Sequence, residues 1–374
     1  MNMNPHILHD IESHASKALQ LLIELAQIPA PSNQEEQRAQ FCLQWLRSKG
    51  AERAYIDDAL NVICPIGDTG ENDLMVFMAH SDVVFPDTAS LPLKIENGRI
   101  CCPGVGDDTA NAVALLTVAG YIAEKKLTPK GCGVLLVINS GEEGLGNLKG
   151  TRRLMADFGH RVKEFITFDG NANAIVTKAV GSRRYRVTVT TEGGHSYGKF
   201  GTPNAIAQLA QFIARLYEVE VPAIGKTTYN VGTISGGTSV NTIAQSAEML
   251  YEFRSDEREG LAFMQAQFDS IVEGFRSAGV EISVEVVGDR PCGLDVDNSG
   301  LVLRAAKAVE AHYGFSPALT SGSTDCNVPL SMGISAICPG CVLGAGAHTR
   351  EEYVEIDSLL PGLKVAFELV LHHF

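Results

Sequence analysis

Along the first fifty residues, apolar positions recur every three or four residues, which is the period of an amphipathic helix. Such steps connect Ile11, Ala15, Ala18, Leu22 and Leu25. A proline-rich break follows, and the pair Ser32 and Glu35 has the spacing of a capping box. The pattern therefore predicts one helix before the break and a second helix over residues 33–49.

Beyond residue 50, short continuous apolar runs alternate with a longer apolar segment. The segment 110–119 predicts a buried helix. Buried strands are predicted at the runs 53–57, 61–65, 74–78, 133–138 and 164–168. Alternation of strands with helices predicts an α/β fold, with a mostly parallel sheet flanked by helices.

The pattern changes after Gly181. Residues 184–191 alternate polar and apolar side chains, as a half-solvated antiparallel strand does. The elements predicted after it are a helix at 203–217, strands at 227–234 and 247–254, a helix at 260–277 and a strand at 281–287. The sequence therefore predicts an inserted two-layer α+β domain at 182–290, which interrupts a catalytic domain formed by 1–181 and 291–374.

Composition and charge exclude several classes of protein. The chain has 374 residues, of which 45% are hydrophobic and 20% charged, as in an ordinary globular protein large enough for two domains. A net charge of −14 argues against nucleic acid or an anionic membrane as partner. No apolar run is long enough to span a bilayer, and residues 1–5 lack the features of a signal peptide. Nine irregularly spaced cysteines fit reduced thiols, so a cytoplasmic location is expected.

The turn 104–109 places two carboxylates, Asp107 and Asp108, directly before the predicted central helix. Adjacent carboxylates repel each other, so the arrangement favours a cation beside them. The alternative is an acidic N-cap that satisfies the free amides of the helix.

Other polar side chains follow the predicted strands or lie in glycine-rich loops, where an α/β sheet places its chemistry. They are His80, Asp82, Glu142, Glu143, Asp169 and His348. Imidazole and carboxylate groups are zinc ligands, and a bridged pair of ions needs about five of them with one carboxylate shared. The position of Asp82, two residues after His80, suits a carboxylate that orients a metal-bound imidazole. Of two consecutive glutamates on a tight turn, one can ligate while the other transfers a proton.

Seven motifs follow one another along the chain: MAHSD, GVGDD, SGEEG, FDG, GGHS, SGSTDCNVP and GAH. In this order they resemble the dizinc metallopeptidase and deacylase family of peptidase T, carboxypeptidase G, aminoacylase and acetylornithine deacetylase. The resemblance covers nearly the whole chain, including the insert. It implies two divalent metal ions per chain, with zinc as the expected metal and manganese or cobalt as alternatives.

The resemblance also implies roles for individual residues of the first domain. His80 and Asp169 would bind one ion, Glu143 and His348 would bind the other, and Asp108 would bridge them. Glu142 would act as the general base toward a metal-bound water, and Asp82 would be the partner of His80.

The insert would serve as a lid and dimerisation domain. His195 would reach into the site of a neighbouring subunit and stabilise the oxyanion, which implies a homodimer. Asn241 and Arg254 would hold the backbone and the carboxylate of the substrate. For Arg254 the alternative is a surface salt bridge to Glu252, Asp256 or Glu257.

The predicted function is a metal-dependent hydrolase of the exopeptidase type, similar to peptidase T, which cleaves an amide bond in a small peptide. The alternatives are an N-deacylase of N-acyl amino acids, a non-catalytic metal-binding scaffold, and a thiol redox protein built on Cys338 and Cys341. The chain departs from the family pattern at Thr109, Ala110, Asn111, Tyr197 and Glu252. These departures leave every expected ligand in place but affect the fit of the substrate.

Overall fold

The computed structural model describes the backbone of residues 5–374 and the side chains of residues 8–374. The prediction that no signal peptide is present concerns residues 1–5, whose side chains lie outside this part. None of the helices in the described chain is long and apolar enough to cross a membrane.

The chain divides into two compact units. The first comprises Met1–Ala179 and Asp295–Phe374, and the second comprises Val180–Leu294. Compactness alone does not show which segments fold as independent domains, so the predicted domain boundaries stay predictions.

The helices follow the apolar periodicity of the sequence. In chain order they are α1 (Pro5–Ala26), α2 (Glu36–Ser48), α3 (Ala110–Lys125), α4 (Lys149–Phe158), α5 (Ala205–Tyr217), α6 (Arg258–Ser277), α7 (Ser299–Tyr313), α8 (Asn327–Ser331) and α9 (Leu359–Leu371).

The strands include every run that the sequence predicted as a strand. In chain order they are β1 (Tyr55–Ile56), β2 (Val62–Ile66), β3 (Leu74–His80), β4 (Lys94–Glu96), β5 (Arg99–Cys101), β6 (Gly133–Asn139), β7 (Val162–Thr167), β8 (Ala174–Ala179), β9 (Gly181–Thr190), β10 (Gly194–His195), β11 (Thr227–Gly236), β12 (Thr242–Ile243), β13 (Ser246–Ser255), β14 (Glu281–Arg290), β15 (Ala318–Gly322), β16 (Ser335–Pro339), β17 (Gly344–Ala345) and β18 (Tyr353–Glu355).

The first unit is built on an eight-stranded sheet with the order β1-β2-β6-β3-β7-β16-β8-β15. Strand β3 is parallel to both of its neighbours, β6 and β7, and β16 is parallel to β7. Alternate side chains of β3 enter two separate cores, Phe77 and Ala79 on one face and Val76 and Met78 on the other. Burial on both faces explains why this strand reads as a continuous apolar run. The predicted mostly parallel sheet flanked by helices is confirmed.

A smaller sheet of the first unit has the order β17-β18-β5-β4. In the second unit, an antiparallel sheet has the order β11-β13-β9-β14, and α5 and α6 cover one face of it. Its core is rich in aromatic side chains, with Tyr185 stacked on Phe268 at a centroid distance of 4.3 Å. The predicted two-layer α+β insert is confirmed.

The capping box predicted before α2 is wrong. Glu35 occupies the N-cap position of α2, and no side chain caps the helix. Instead, Ser32 Oγ donates to Asp82 Oδ2 at 2.7 Å, and Lys149 Nζ lies 2.8 Å from Glu35 Oε2. Both residues are engaged by tertiary partners, and Ser32 thereby supports Asp82, one of the candidate site residues.

Candidate metal centre

Three adjacent strands bring the predicted residues to one edge of the large sheet. His80 is the last residue of β3, Glu142 and Glu143 follow β6, and Asp169 follows β7. Because these strands are parallel neighbours, their carboxyl ends lie side by side. The turn that carries Asp107 leads into α3 beside them.

Asp107 lies between two imidazoles. Its Oδ1 is 3.1 Å from His80 Nε2, and its Oδ2 is 3.1 Å from His348 Nε2. His348 Nε2 is also 3.1 Å from Glu143 Oε1. One oxygen toward each imidazole is the arrangement expected of a carboxylate that bridges two ions.

Asp108 is oriented differently, although a single cis peptide bond joins it to Asp107. Its Oδ2 accepts the backbone N–H of His80 at 2.9 Å, and its Oδ1 accepts an N–H of Asn111 Nδ2 at 2.7 Å. Both oxygens are therefore engaged by donors within the protein. The geometry favours Asp107, and not Asp108, for the bridging position.

The donor atoms are close enough to share ions. One atom from each of His80, Asp107 and Glu143 lies within 4.8 Å of the others, and the same holds for His80, Asp108 and Asp169. Nitrogen and oxygen donors of this kind suit zinc. With carboxylates in excess over imidazoles, the cluster has the charge and the ligand chemistry of a divalent metal site.

The carboxylates show the electrostatic strain of such a cluster. Burial, followed by repulsion from Asp169 and Asp107, raises the pKa of Asp108 well above its usual range, although His80 opposes this. Burial and the charge of Asp107 raise the pKa of Asp169 to about 7. A bound cation would relieve this repulsion, and its binding would release protons from carboxylates with raised pKa values.

Acidic neighbours raise the pKa of both imidazoles. Hydrogen bonds to Asp107 and Glu143 raise the pKa of His348 to about 10. Burial by itself would lower the pKa of His80, but the charge of Asp108 and the bond to Asp107 raise it well above its usual value. His348 also has a left-handed backbone conformation, with φ of 64°, which is uncommon for residues other than glycine.

Asp82 orients the turn of the two glutamates. It is buried, and its Oδ1 and Oδ2 accept the backbone N–H groups of Glu142 and Glu143 at 3.0 and 2.9 Å. His80 Nδ1 is 3.0 Å from the backbone oxygen of Asp82 and 3.5 Å from its carboxylate. The residue predicted as the partner of His80 thus also fixes the backbone of the candidate base.

Arg38 was not predicted as a site residue. Its side chain is only 1% exposed, and it donates to the backbone oxygens of Ile28 and Ser81 at 2.7 and 2.8 Å and to Thr109 Oγ1 at 3.0 Å. Burial lowers the pKa of this guanidinium to about 10. It connects the loop after β3 with the end of the aspartate turn. The sequence did contain a sign of this role, because Arg38 is a charged residue one helical turn before Cys42, on the apolar face of α2.

Asn111 gives a structural role to one departure from the family pattern. Its Nδ2 donates to Asp108 Oδ1 at 2.7 Å and to the oxygen of Gly170 at 3.1 Å. Its Oδ1 accepts the N–H of Cys341 at 2.7 Å. In this chain the side chain therefore connects three loops around the candidate metal ligands.

The second unit carries the remaining predicted residues. His195 ends β10, and its Nδ1 accepts the backbone N–H groups of Tyr197 and Gly198 at 3.3 Å each. The backbone oxygen of Asn241 accepts the N–H of Ser196 at 3.0 Å, so His195 and Asn241 belong to one local structure.

Arg254 pairs with a carboxylate of its own strand. Its Nε and one terminal nitrogen lie 3.0 and 3.1 Å from the two carboxylate oxygens of Glu252. Arg184 Nε also lies 3.2 Å from Glu252 Oε2. This is the salt bridge that the sequence left open as the alternative for Arg254.

A profile of peptidase family M20/M25/M40 matches residues 76–372 of the sequence. The chain belongs to this family. The metallopeptidase and deacylase family recognised from the motifs is confirmed, and with it the prediction of a metallopeptidase-type hydrolase.

Individual relatives and a solved structure show how far the likeness extends. The uncharacterized protein YqjE of Bacillus subtilis is 26% identical over 331 residues, which cover 83% of this chain and 84% of YqjE. Acetylornithine deacetylase of Myxococcus xanthus is 25% identical over 348 residues, or 86% of this chain and 87% of the relative. A tripeptidase structure from Staphylococcus aureus has a TM-score of 0.76 at 23% identity and covers 95% of this chain and 97% of its own. The last comparison shows a shared fold.

The cysteine pair Cys338 and Cys341 does not fit a redox site. Both side chains are buried, and burial raises the pKa of both thiols well above the usual value. A redox pair requires an accessible thiol with a lowered pKa. The structure therefore argues against the thiol redox function.

Proposed function

We propose that this chain is a dinuclear metal-dependent exopeptidase that cleaves an amide bond in small peptides. The observation that carries the proposal is the carboxylate of Asp107, held 3.1 Å from an imidazole nitrogen on each side. His80 and Asp169 would hold one ion, Glu143 and His348 the other, and Asp107 would bridge them in place of Asp108. Zinc is the proposed metal, because the ligands are imidazoles and carboxylates.

Glu142 would act as the general base. Two divalent ions at this centre would polarise the scissile carbonyl and activate the attacking water. The Glu142 carboxylate would accept a proton from the attacking water and donate it to the leaving amine. Asp82 holds the backbone N–H groups of Glu142 and Glu143, so that the base and the ligand beside it keep their separate directions.

The second unit would complete the site as part of a homodimer. His195 of one subunit would stabilise the oxyanion in the site of the other, as the family resemblance implies. Support comes from β11, an edge strand of its sheet, which exposes Ile234. The nearby loop residue Val240 and the aromatic side chains Tyr197 and Phe200 are also exposed. A contiguous group of such side chains would mark an interaction surface.

Arg254 would select substrates with a free carboxylate, and Asn241 would hold the substrate backbone. A guanidinium offers a planar fork that binds a carboxylate with two hydrogen bonds. Glu252 occupies two of these donors, so a substrate carboxylate would have to share the guanidinium with Glu252 or replace it.

The cytoplasm is the proposed location. All nine cysteines are free, and eight of them are buried. Such thiols are typical of proteins from a reducing compartment.

The experiment is a substrate panel. Di- and tripeptides, their C-terminal amides and N-acyl amino acids would be incubated with the protein and Zn²⁺, Mn²⁺ or Co²⁺. We expect cleavage of free peptides at a single end, none with the Glu142→Gln control, and slower cleavage of the amides. Equal cleavage of acid and amide would contradict the role of Arg254, and no cleavage of any peptide would contradict the peptidase function.

An N-deacylase is the second candidate. The relative from Myxococcus xanthus, 25% identical, is an acetylornithine deacetylase, and its match covers most of both chains. The metal centre and Glu142 would perform the same steps on an N-acyl amino acid. Cleavage of N-acyl amino acids without cleavage of peptides would decide in favour of this alternative.

A further inference from the structure

Glu352 is a buried carboxylate that the candidate reaction does not use. It lies between His348 and β18, and its side chain is 1% exposed. Its Oε2 accepts the backbone N–H of Gly104 at 2.6 Å, and its Oε1 accepts those of Gly106 and Asp107 at 2.8 and 2.7 Å. Three hydrogen bonds from backbone N–H groups to one buried carboxylate form a strong, specific anchor.

The anchored turn is the one that carries Asp107. A Cβ atom at Gly106 would lie 3.1 Å from Glu352 Oε1, so glycine allows the close approach of the carboxylate. The backbone oxygen of Glu352 also accepts the N–H of Cys102, at 3.1 Å. A residue four positions after His348 therefore holds both ends of the segment that presents Asp107.

Both connected segments carry candidate ligands. A carboxylate oxygen of Asp107 lies 3.1 Å from Nε2 of His348. In the proposed centre, Asp107, His348 and Glu143 would bind the same ion. A shift of either segment would separate these donors. Zinc sites tolerate only small deviations from their ligand distances, so the affinity of the centre depends on how the two segments are held.

We propose that Glu352 is a positioning residue of the metal centre, which fixes Asp107 relative to His348 before a metal ion binds. The proposal rests on the proposed function, and it assigns Glu352 no contact with the ion or the substrate. The ionised form of glutamate suits the task because it only accepts hydrogen bonds. In glutamine, one of the two oxygens becomes an NH₂ group, which would face an N–H donor of the turn.

The test is a zinc titration of metal-free protein. Wild type, Glu352→Gln and Glu352→Asp would be titrated in competition with a chromophoric chelator. Glu351→Gln is the matched control, because Glu351 is the exposed neighbour on the same loop. We expect Glu352→Gln to lower the affinity for one of the two zinc ions by about 10- to 100-fold, the usual effect of removing such a support. Glu352→Asp should recover part of the affinity, and the control should match wild type.

Thermal unfolding of the same metal-free samples separates positioning from a general effect on folding. A lower melting temperature with unchanged zinc affinity in Glu352→Gln would overturn the proposal and leave the proposed function standing. Failure of the wild type to bind zinc would overturn the proposed function, and this inference with it.

A measurement on wild type covers the case in which the variants do not fold. Hydrogen exchange of the metal-free protein should show slow exchange at the amides of Gly106 and Asp107, because Glu352 holds them without metal. Exchange as fast as that of the exposed residue Arg350 would overturn the proposal.

Discussion

Asp107 and Asp108 are adjacent in the chain, yet their carboxylates differ in pKa and in the partners they contact. Burial would raise the pKa of Asp107, but hydrogen bonds from His348 and His80 hold it well below its usual range. Burial raises that of Asp108 well above the usual range, and nearby carboxylates add to this. Asp107 is thus charged and directed at both imidazoles, which suits a bridging ligand.

The first prediction separates these two aspartates. Asp107→Asn should bind at most one zinc ion tightly, because both proposed sites lose a shared ligand. Asp108→Asn should retain two, with a loss of affinity of about tenfold or more from the altered support of His80. Zinc content after dialysis, measured by atomic emission, decides between them. Two ions in Asp107→Asn and one in Asp108→Asn would return the bridge to Asp108.

The second prediction concerns the adjacent glutamates. Glu142→Gln should keep two zinc ions and lose at least about 10²-fold in turnover, the usual size of a general-base effect. Glu143→Gln should lose metal as well as activity, because its carboxylate is 3.1 Å from His348. The same metal loss in both variants would show that the two roles are wrongly assigned.

At the scale of elements, α2 is held in place by a contact that its apolar pattern does not show. Arg38 of this helix donates hydrogen bonds to the backbone oxygens of Ile28 and Ser81.

The third prediction is that Arg38→Leu lowers the free energy of unfolding by roughly 2–5 kcal/mol, because buried oxygens of Ile28 and Ser81 lose their donor. Urea unfolding of the metal-free protein measures this. Gln44→Leu, at an exposed position of the same helix, is the control and should change stability by less than about 1 kcal/mol. Equal effects would show that Arg38 supports nothing specific.

Glu164 on β7 connects elements that are distant in sequence. Burial would raise its pKa, but His373, whose Nε2 lies 3.4 Å from Glu164 Oε2, and a hydrogen bond from Arg304 of α7 lower it from 4.5 to about 2. A carboxylate with a lowered pKa stabilises the fold fully above its unfolded pKa, and this contribution is lost as the pH falls through the folded value.

The fourth prediction follows from this sign. Glu164→Gln should be less stable than wild type at pH 7, and the difference should shrink as the pH falls from about 5 to about 2. Urea unfolding at several pH values in this range measures it. Asp73→Asn, at an exposed position before β3, is the control and should show no such convergence. A difference that stays constant with pH would contradict the role of this carboxylate.

The sequence predicted the elements better than the contacts between them. Continuous apolar runs identified β3, β6 and β7, and the rule for parallel strands placed His80, Glu143 and Asp169 at one edge. Local spacing could not distinguish Asp107 from Asp108, because the turn and its partners decide where each carboxylate points. The capping box predicted from Ser32 and Glu35 was wrong for the same reason, since their partners lie far away in sequence.

At the scale of the whole molecule, the proposed dimer makes a further prediction. Mixing inactive His195→Ala with inactive Glu142→Gln should restore part of the activity, because some hybrid sites would then carry both groups. Subunit exchange would be verified with differently tagged chains, and each variant mixed with itself is the control. No recovery after demonstrated exchange would contradict a shared site.

The ends of the second unit lie next to each other. Ser182 near the start of β9 pairs with Arg290 at the end of β14, and a Cβ atom at Gly181 would come within 2.8 Å of the nitrogen of Cys292. A segment whose two ends lie close together can be replaced by another segment with the same end-to-end distance, without displacing the flanking parts of the chain. A chimera that exchanges residues 180–294 between relatives would therefore replace the proposed substrate-binding residues Asn241 and Arg254 and leave the proposed metal ligands unchanged.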